Sequence, residues 1–138
     1  MKIVLDTNVL VSGLLFPYGV PGEIVRMVAS ATLELCHDAR ILGEYREVLL
    51  RPKFSFRAPE VENFLSQIEN CGFLVSAVPL RAPLPDPYDE PFLEAAIAGK
   101  ARCLVTGNTK HYPVRKRQDI LVLSPAKFLE FYRLSQQK

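Results

Sequence analysis

Cysteine is scarce in this chain and poorly placed for cross-linking. Cys36, Cys71 and Cys103 are odd in number, widely spaced and set among apolar or helix-forming residues, so they read as reduced core thiols and not as a disulfide frame. Long hydrophobic runs are missing too. The first stops at Asp6 and the next, Val9 to Phe16, meets Pro17, which excludes a secretory or membrane segment and leads us to expect a cytoplasmic protein with no membrane partner. Charge of one sign is absent: a net +2 excludes a strongly basic nucleic-acid coat. It leaves room for one local patch, Lys110, His111, Arg115, Lys116 and Arg117, which is either a solvated loop or a phosphate contact. Neither a Walker loop nor a GxGxxG follows the first apolar run, so nucleotide-cofactor chemistry has no support. Of the two histidines, His37 lies at a strand-helix junction and His111 in the basic loop, and neither completes a nucleophile triad. No repeat or low-complexity tract is present.

What remains is an apolar-rich chain, 49% hydrophobic, long enough for one domain over residues 1–138. Lys2 to Leu5 reads as a strand that stops at Asp6-Thr7-Asn8, and Val9 to Phe16 as a possible helix start broken by Pro17, Gly19, Pro21 and Gly22. A helix with Ile24, Val25, Val28 and Ala29 follows, then a strand up to Cys36, then a helix capped by Asp38 with the stripe Ile41, Leu42, Tyr45, Val48 and Leu49. Pro59, Glu60 and Glu62 open another helix, with Val61, Phe64, Leu65 and Ile68 on its face and Gly72 at its end. Phe73 to Val78 is the third strand. Five prolines between Pro79 and Pro91 predict an extended rigid loop. A tightly packed helix from Phe92 to Gly99, a strand Cys103 to Thr106, a strand Ile120 to Leu123 and a helix capped by Ser124-Pro125 complete the pattern. Strands alternating with helices predict an α/β fold: a mainly parallel sheet of about five strands covered on both faces, with a site at the strands' carboxyl ends.

Four acids stand where a packed core would not ask for them. Asp6 follows the first strand directly; it either caps the next helix or offers a carboxylate, beside Thr7 and Asn8, to a ligand. Glu44, at about 100° per residue, falls roughly 40° outside the apolar arc of its helix, whereas Glu47 points nearly opposite that arc. Arg40, four residues earlier, is a possible ion-pair partner for Glu44. Asp86 and Asp89 precede a small-residue helix, where the dipole alone favours acids, but Pro87 and Pro91 fix the backbone so that Asp89 faces the first strand's end. Glu94, one turn on, reads as solvent-facing or supporting. Asn108 ends Thr106-Gly107-Asn108, where the glycine permits close approach of a ligand. Carboxylates without a Cys or His cluster point to a hard cation, Mg²⁺ or Mn²⁺, which brings together phosphate oxygens and an activated water.

Three ordered motifs, Val-Leu-Asp-Thr-Asn-Val-Leu-Val-Ser, Asp-Pro-Tyr-Asp-Glu-Pro-Phe-Leu-Glu-Ala-Ala and Leu-Val-Thr-Gly-Asn-Thr-Lys-His-Tyr-Pro, resemble the PIN-domain family, and more narrowly the toxin component of prokaryotic toxin-antitoxin pairs. The resemblance implies a three-layer α/β/α fold, Mg²⁺- or Mn²⁺-dependent cleavage of single-stranded RNA, a homodimer and an antitoxin protein partner. By position, Asp6, Glu44 and Asp89 match the three central acids that hold the metal, and Asp86 is a nearby additional acid. The fourth acidic position of many members is Asn108 here, so Asp6, Glu44, Asp86, Asp89 and Asn108 are the candidate catalytic set, with Thr7, Asn8, Lys110 and His111 as candidate substrate contacts. Two rivals stand beside this reading: a catalytically weak PIN-like module that binds RNA or protein, favoured by Asn108, and a phosphatase with a strand-end Asp, disfavoured because Asn8 occupies the place where a second Asp is wanted.

Overall fold

A computed structural model describes residues 1–137. Five short strands, β1 (Lys2–Leu5), β2 (Glu34–His37), β3 (Phe73–Leu74), β4 (Cys103–Val105) and β5 (Leu121–Leu123), form one parallel sheet in the order β3-β2-β1-β4-β5. Six helices connect and cover them: α1 (Thr7–Leu15), α2 (Val20–Ala29), α3 (Ala39–Leu49), α4 (Ala58–Cys71), α5 (Glu90–Gly99) and α6 (Pro125–Gln136). β1 and β4 lie inside the sheet, and their side chains Ile3, Val4, Leu5, Cys103, Leu104 and Val105 are all fully buried. A strand covered on both faces requires such an unbroken apolar run in place of alternation.

β2 shows how the layers divide. A Cβ added at Gly99, the end of α5, would meet Cys36 Sγ at 2.8 Å, whereas one added at Gly72, just past α4, would meet the ring of the next residue, His37, also at 2.8 Å. Successive strand residues point to opposite faces, so α5 and the end of α4 lie on opposite sides of the sheet. α5 packs on β1, β2 and β4, while α2 packs against both α4 and α6. The fold is a three-layer α/β/α sandwich. Among the described residues no single helix is long and apolar enough to cross a membrane.

Several expected boundaries move, each for a local reason. β3 is two residues long, not the six from Phe73 to Val78, because its partner β2 ends at His37. After the Val75 N–H bonds to the His37 carbonyl at 2.9 Å, α3 has already begun on the other side and leaves nothing to pair with. Helix α5 ends at Gly99, but the left-handed residue that terminates it is Lys100, with φ 53°. Gly99 and Gly72 are glycines for lack of room: a Cβ at Gly72 would stand 2.5 Å from the Leu35 carbonyl oxygen. Cys36 and Cys103 are buried as expected, Cys71 is only half-buried, and all three are free thiols.

Candidate active site

The chain runs from β1 to one side of the sheet, through β2 and β3, and returns to the other side as β4 and β5. Strand order therefore reverses between β1 and β4, and a crevice opens at their carboxyl ends. Asp6 and Thr106 are the first residues past those ends.

Asp6 occupies the position before α1, yet its side chain makes no capping bond to the helix. Its backbone N–H donates to the Val105 carbonyl at 2.9 Å and extends the sheet ladder by one rung. The carboxylate turns sideways instead: Oδ2 accepts from the Thr106 hydroxyl at 2.8 Å, and the buried Tyr112 hydroxyl lies 3.5 Å away. The capping alternative for Asp6 is thereby set aside. Thr7, also buried, donates its hydroxyl to Glu44 Oε2, so the first residue of α1 holds the carboxylate of α3. Asn8 is exposed.

Glu44 is held from its own helix as well. Asp38 caps α3 by accepting from the Ile41 N–H at 3.1 Å. Tyr45, fully buried, donates its hydroxyl to the Leu5 carbonyl at 2.6 Å and ties α3 to the end of β1. Arg40 does not pair with Glu44; it bridges Asp38 at 2.8 Å and Glu94 at 2.5 Å. Glu94 is buried and not solvent-facing, and its second oxygen accepts from the Leu80 N–H at 3.2 Å, pinning the proline-rich loop.

That loop delivers Asp89. Asp86 caps the short 3₁₀ turn Pro87–Asp89 by accepting from the Tyr88 N–H at 3.0 Å, and it stands at the rim, half-buried. Asp89 is only 8% exposed. His111 Nδ1 is 3.1 Å from Asp89 Oδ2, yet that oxygen is buried without an aligned hydrogen bond. The other ring nitrogen of His111 faces the Asn108 amide nitrogen at 2.8 Å, and the Asn108 N–H donates to the Thr106 hydroxyl at 3.1 Å. A hydrogen-bonded and close-contact chain thus runs Asp6, Thr106, Asn108, His111, Asp89. Asn108 itself is exposed and turned toward His111. The basic segment divides. Lys116 donates to the Pro83 carbonyl at 2.8 Å and Arg117 to the Tyr112 carbonyl at 2.6 Å, so both brace the loop, while Lys110 and Arg115 are exposed.

Asp6 lies within electrostatic reach of both Glu44 and Asp89. Burial pushes the Asp6 carboxyl up from its ordinary range, against the Thr106 hydroxyl, which lowers it. Glu44 is raised, first by burial and then by the Asp6 charge, with the Thr7 hydroxyl acting the other way. Asp89 is pushed up to about 6, first by burial, then by Asp6, with the His111 charge opposing. A buried carboxylate, Asp6, that raises the proton affinity of two others marks a site short of positive charge. The donors are all oxygens, and the buried Asp89 Oδ2 lacks a satisfied partner, which fits a hard cation. Among the described residues no three acidic, histidine or cysteine side chains close on one point at ligand distance. The fit is to an ion that takes one or two carboxylates directly and completes its shell with water, the habit of Mg²⁺.

Thr106, Tyr112 and Tyr45 are the supporting residues that sequence reasoning did not single out as site residues. Tyr45 carried a usable signal, since a tyrosine inside an apolar stripe needs a partner for its hydroxyl.

A family model described as PIN domain matches residues 2–110. No curated protein matches the chain. Among solved structures, a chain in the crystal structure of VapBC2 from Rickettsia felis bound to a DNA fragment from their promoter is similar in fold, with a TM-score of 0.58 at 16% identity over 90% of this chain and 98% of that one.

Proposed function

Starting from the fact that this chain belongs to the PIN-domain family, we propose that it is a metal-dependent ribonuclease that cleaves single-stranded RNA and serves as the toxin of a toxin-antitoxin pair. The observation that carries the reading is the buried Asp89 carboxylate, whose Oδ2 has only the poorly aligned His111 for company, set within reach of Asp6 at the point where strand order reverses, with Glu44 within reach of the same Asp6. Packing gives no reason to keep three acids there, because burial raises the cost of ionising each and the Asp6 charge adds to the cost for the other two.

Asp6, Glu44 and Asp89 would hold Mg²⁺ or Mn²⁺, which when bound supplies positive charge to phosphate oxygens and makes an attacking water more acidic. Thr106 occupies one side of the Asp6 carboxylate and leaves the other free for the crevice. Thr7 performs the same service for Glu44, and Tyr45 sets the height of α3 against β1. Asn8, Lys110 and His111 stand at the rim, where amide, ammonium and imidazole donors suit phosphate oxygens. Asp86 acts on Asp89 by raising its proton affinity from one turn away.

An antitoxin partner, a homodimer and a cytoplasmic setting belong to the same proposal. The fold likeness to a chain of a VapBC2 structure supports the first. Phe16, 68% exposed, and Tyr18, 97% exposed, between α1 and α2 offer apolar surface for a protein contact. Three free thiols agree with a reducing compartment. A second reading, an RNA- or protein-binding module of weak activity, draws on Asn108, which brings no charge and is engaged with His111.

The deciding experiment is cleavage of a mixed single-stranded RNA pool by the purified protein in Mn²⁺, Mg²⁺ or EDTA, beside Asp6→Asn. We expect metal-dependent cleavage that the variant lacks. RNA binding without cleavage in any metal would select the binding module, and cleavage retained by Asp6→Asn would sink the site.

A further inference from the structure

A cleft of about 420 Å³, lined by Glu44, Glu47, Val48, Arg51 and Tyr88, opens beside the acid cluster and shares Glu44 with it. Its volume lies within the range of small-molecule sites, about 300–1,000 Å³. Tyr88 is 77% exposed although it directly precedes the buried Asp89, and the 3₁₀ turn capped by Asp86 fixes its backbone. An aromatic ring that is left in solvent while the adjacent carboxylate is buried is not packing the core. The cleft's one cation, Arg51, is held by Glu47 at 2.9 Å on α3. Arg51 and Glu44 line the same cleft, so the guanidinium stands at the edge of the acid site.

We propose that this cleft is a nucleotide subsite, in which an unpaired base next to the scissile phosphate stacks on Tyr88 while Arg51 meets the neighbouring phosphate. The inference rests on the ribonuclease reading and adds its substrate contact. Aromatic stacking accepts any base because every base has a π face, so the subsite selects single strands over duplex and is tolerant of sequence. Val48 supplies an apolar floor.

The test uses a single-stranded RNA oligonucleotide with 2-aminopurine at one position, and the same oligonucleotide with an abasic residue there. Cleavage is followed in Mn²⁺, and binding is followed in EDTA on an Asp6→Asn background by quenching of the fluorescent base, or, for the abasic oligonucleotide, by its competition against the fluorescent one. Tyr88→Ala should raise KM and weaken binding about tenfold, the size expected for one lost stack. Tyr88→Phe and Tyr88→Trp should stay within about twofold of the parent, and the Tyr88→Ala penalty should vanish on the abasic oligonucleotide. Leu134→Ala, on the exposed side of α6, should change nothing. Binding and KM indifferent to Tyr88→Ala, or a penalty that persists without the base, would overturn the subsite. Tyr88-dependent binding without any cleavage would keep the subsite and discard the nuclease; metal-dependent cleavage indifferent to Tyr88 would do the reverse.

Discussion

Replacing Asp89 by asparagine should stabilise the metal-free protein at neutral pH while removing its response to metal. Folding raises the Asp89 carboxyl from an ordinary 3.8 to about 6. A group raised in this way binds its proton more tightly when folded, so its contribution to stability is fully present below 3.8 and is lost as pH rises through about 6. At pH 7.5 the folded chain carries the full cost of an ionised, crowded carboxylate. Two pKa units would amount to about 3 kcal/mol, and with the crevice open to water about 1–2 kcal/mol of it survives. For a chain of this size that is a Tm gain of about 3–8 °C for Asp89→Asn in EDTA at pH 7.5, and no gain at pH 4.5, where the parent is protonated. Millimolar Mn²⁺ should raise the parent's Tm at pH 7.5 and leave the variant nearly unmoved, since ligand linkage requires binding to the folded state. Scanning fluorimetry at two pH values, with and without metal, supplies all the comparisons. A variant less stable than the parent in EDTA at pH 7.5, or one that Mn²⁺ stabilises as much as the parent, would refute the account of Asp89 as a strained ligand.

Glu44→Gln should lower metal-dependent RNA cleavage about a hundredfold or more, whereas Glu47→Gln should stay within about threefold; equal losses at both would mean that the angular position on α3 does not distinguish them. Glu94→Gln should cost about 1–2 kcal/mol in urea denaturation, because a buried carboxylate loses its charged bond to half-exposed Arg40 and weakens its hold on Leu80. An unchanged midpoint would show that the proline-rich loop is held by other contacts.

The strands, their parallel order and the helix faces were legible because burial on two sides demands unbroken apolar runs, and helices announce themselves by period and cap: Asp38 and Ser124 both accept the expected backbone N–H. Asp6, Glu44 and Asp89 were legible as acids in the wrong company. The residues that hold them were not. Thr106 reaches Asp6 across 100 positions of sequence, and Glu94 reaches Arg40 across 54, and no local pattern encodes such a distance. Arg40 is a possible partner for Glu44 by helical spacing alone; in the structure it bridges Asp38 and Glu94, and Glu44 takes the Thr7 hydroxyl. β3 was drawn too long because apolar residues alone do not reveal where a partner strand stops.

The place of β1 at the middle of the sheet bears on synthesis. It leaves the ribosome well before one of its neighbours, β4, whose first residue comes 101 positions after that of β1. Asp6 has no Thr106 to orient it and no Asp89 opposite it until most of the chain has been translated. Products that stall before β4 therefore carry one, two or all three acids but never the assembled crevice. An enzyme that attacks RNA would then be harmless to the messenger and ribosome still making it until β4 and Thr106 have been made.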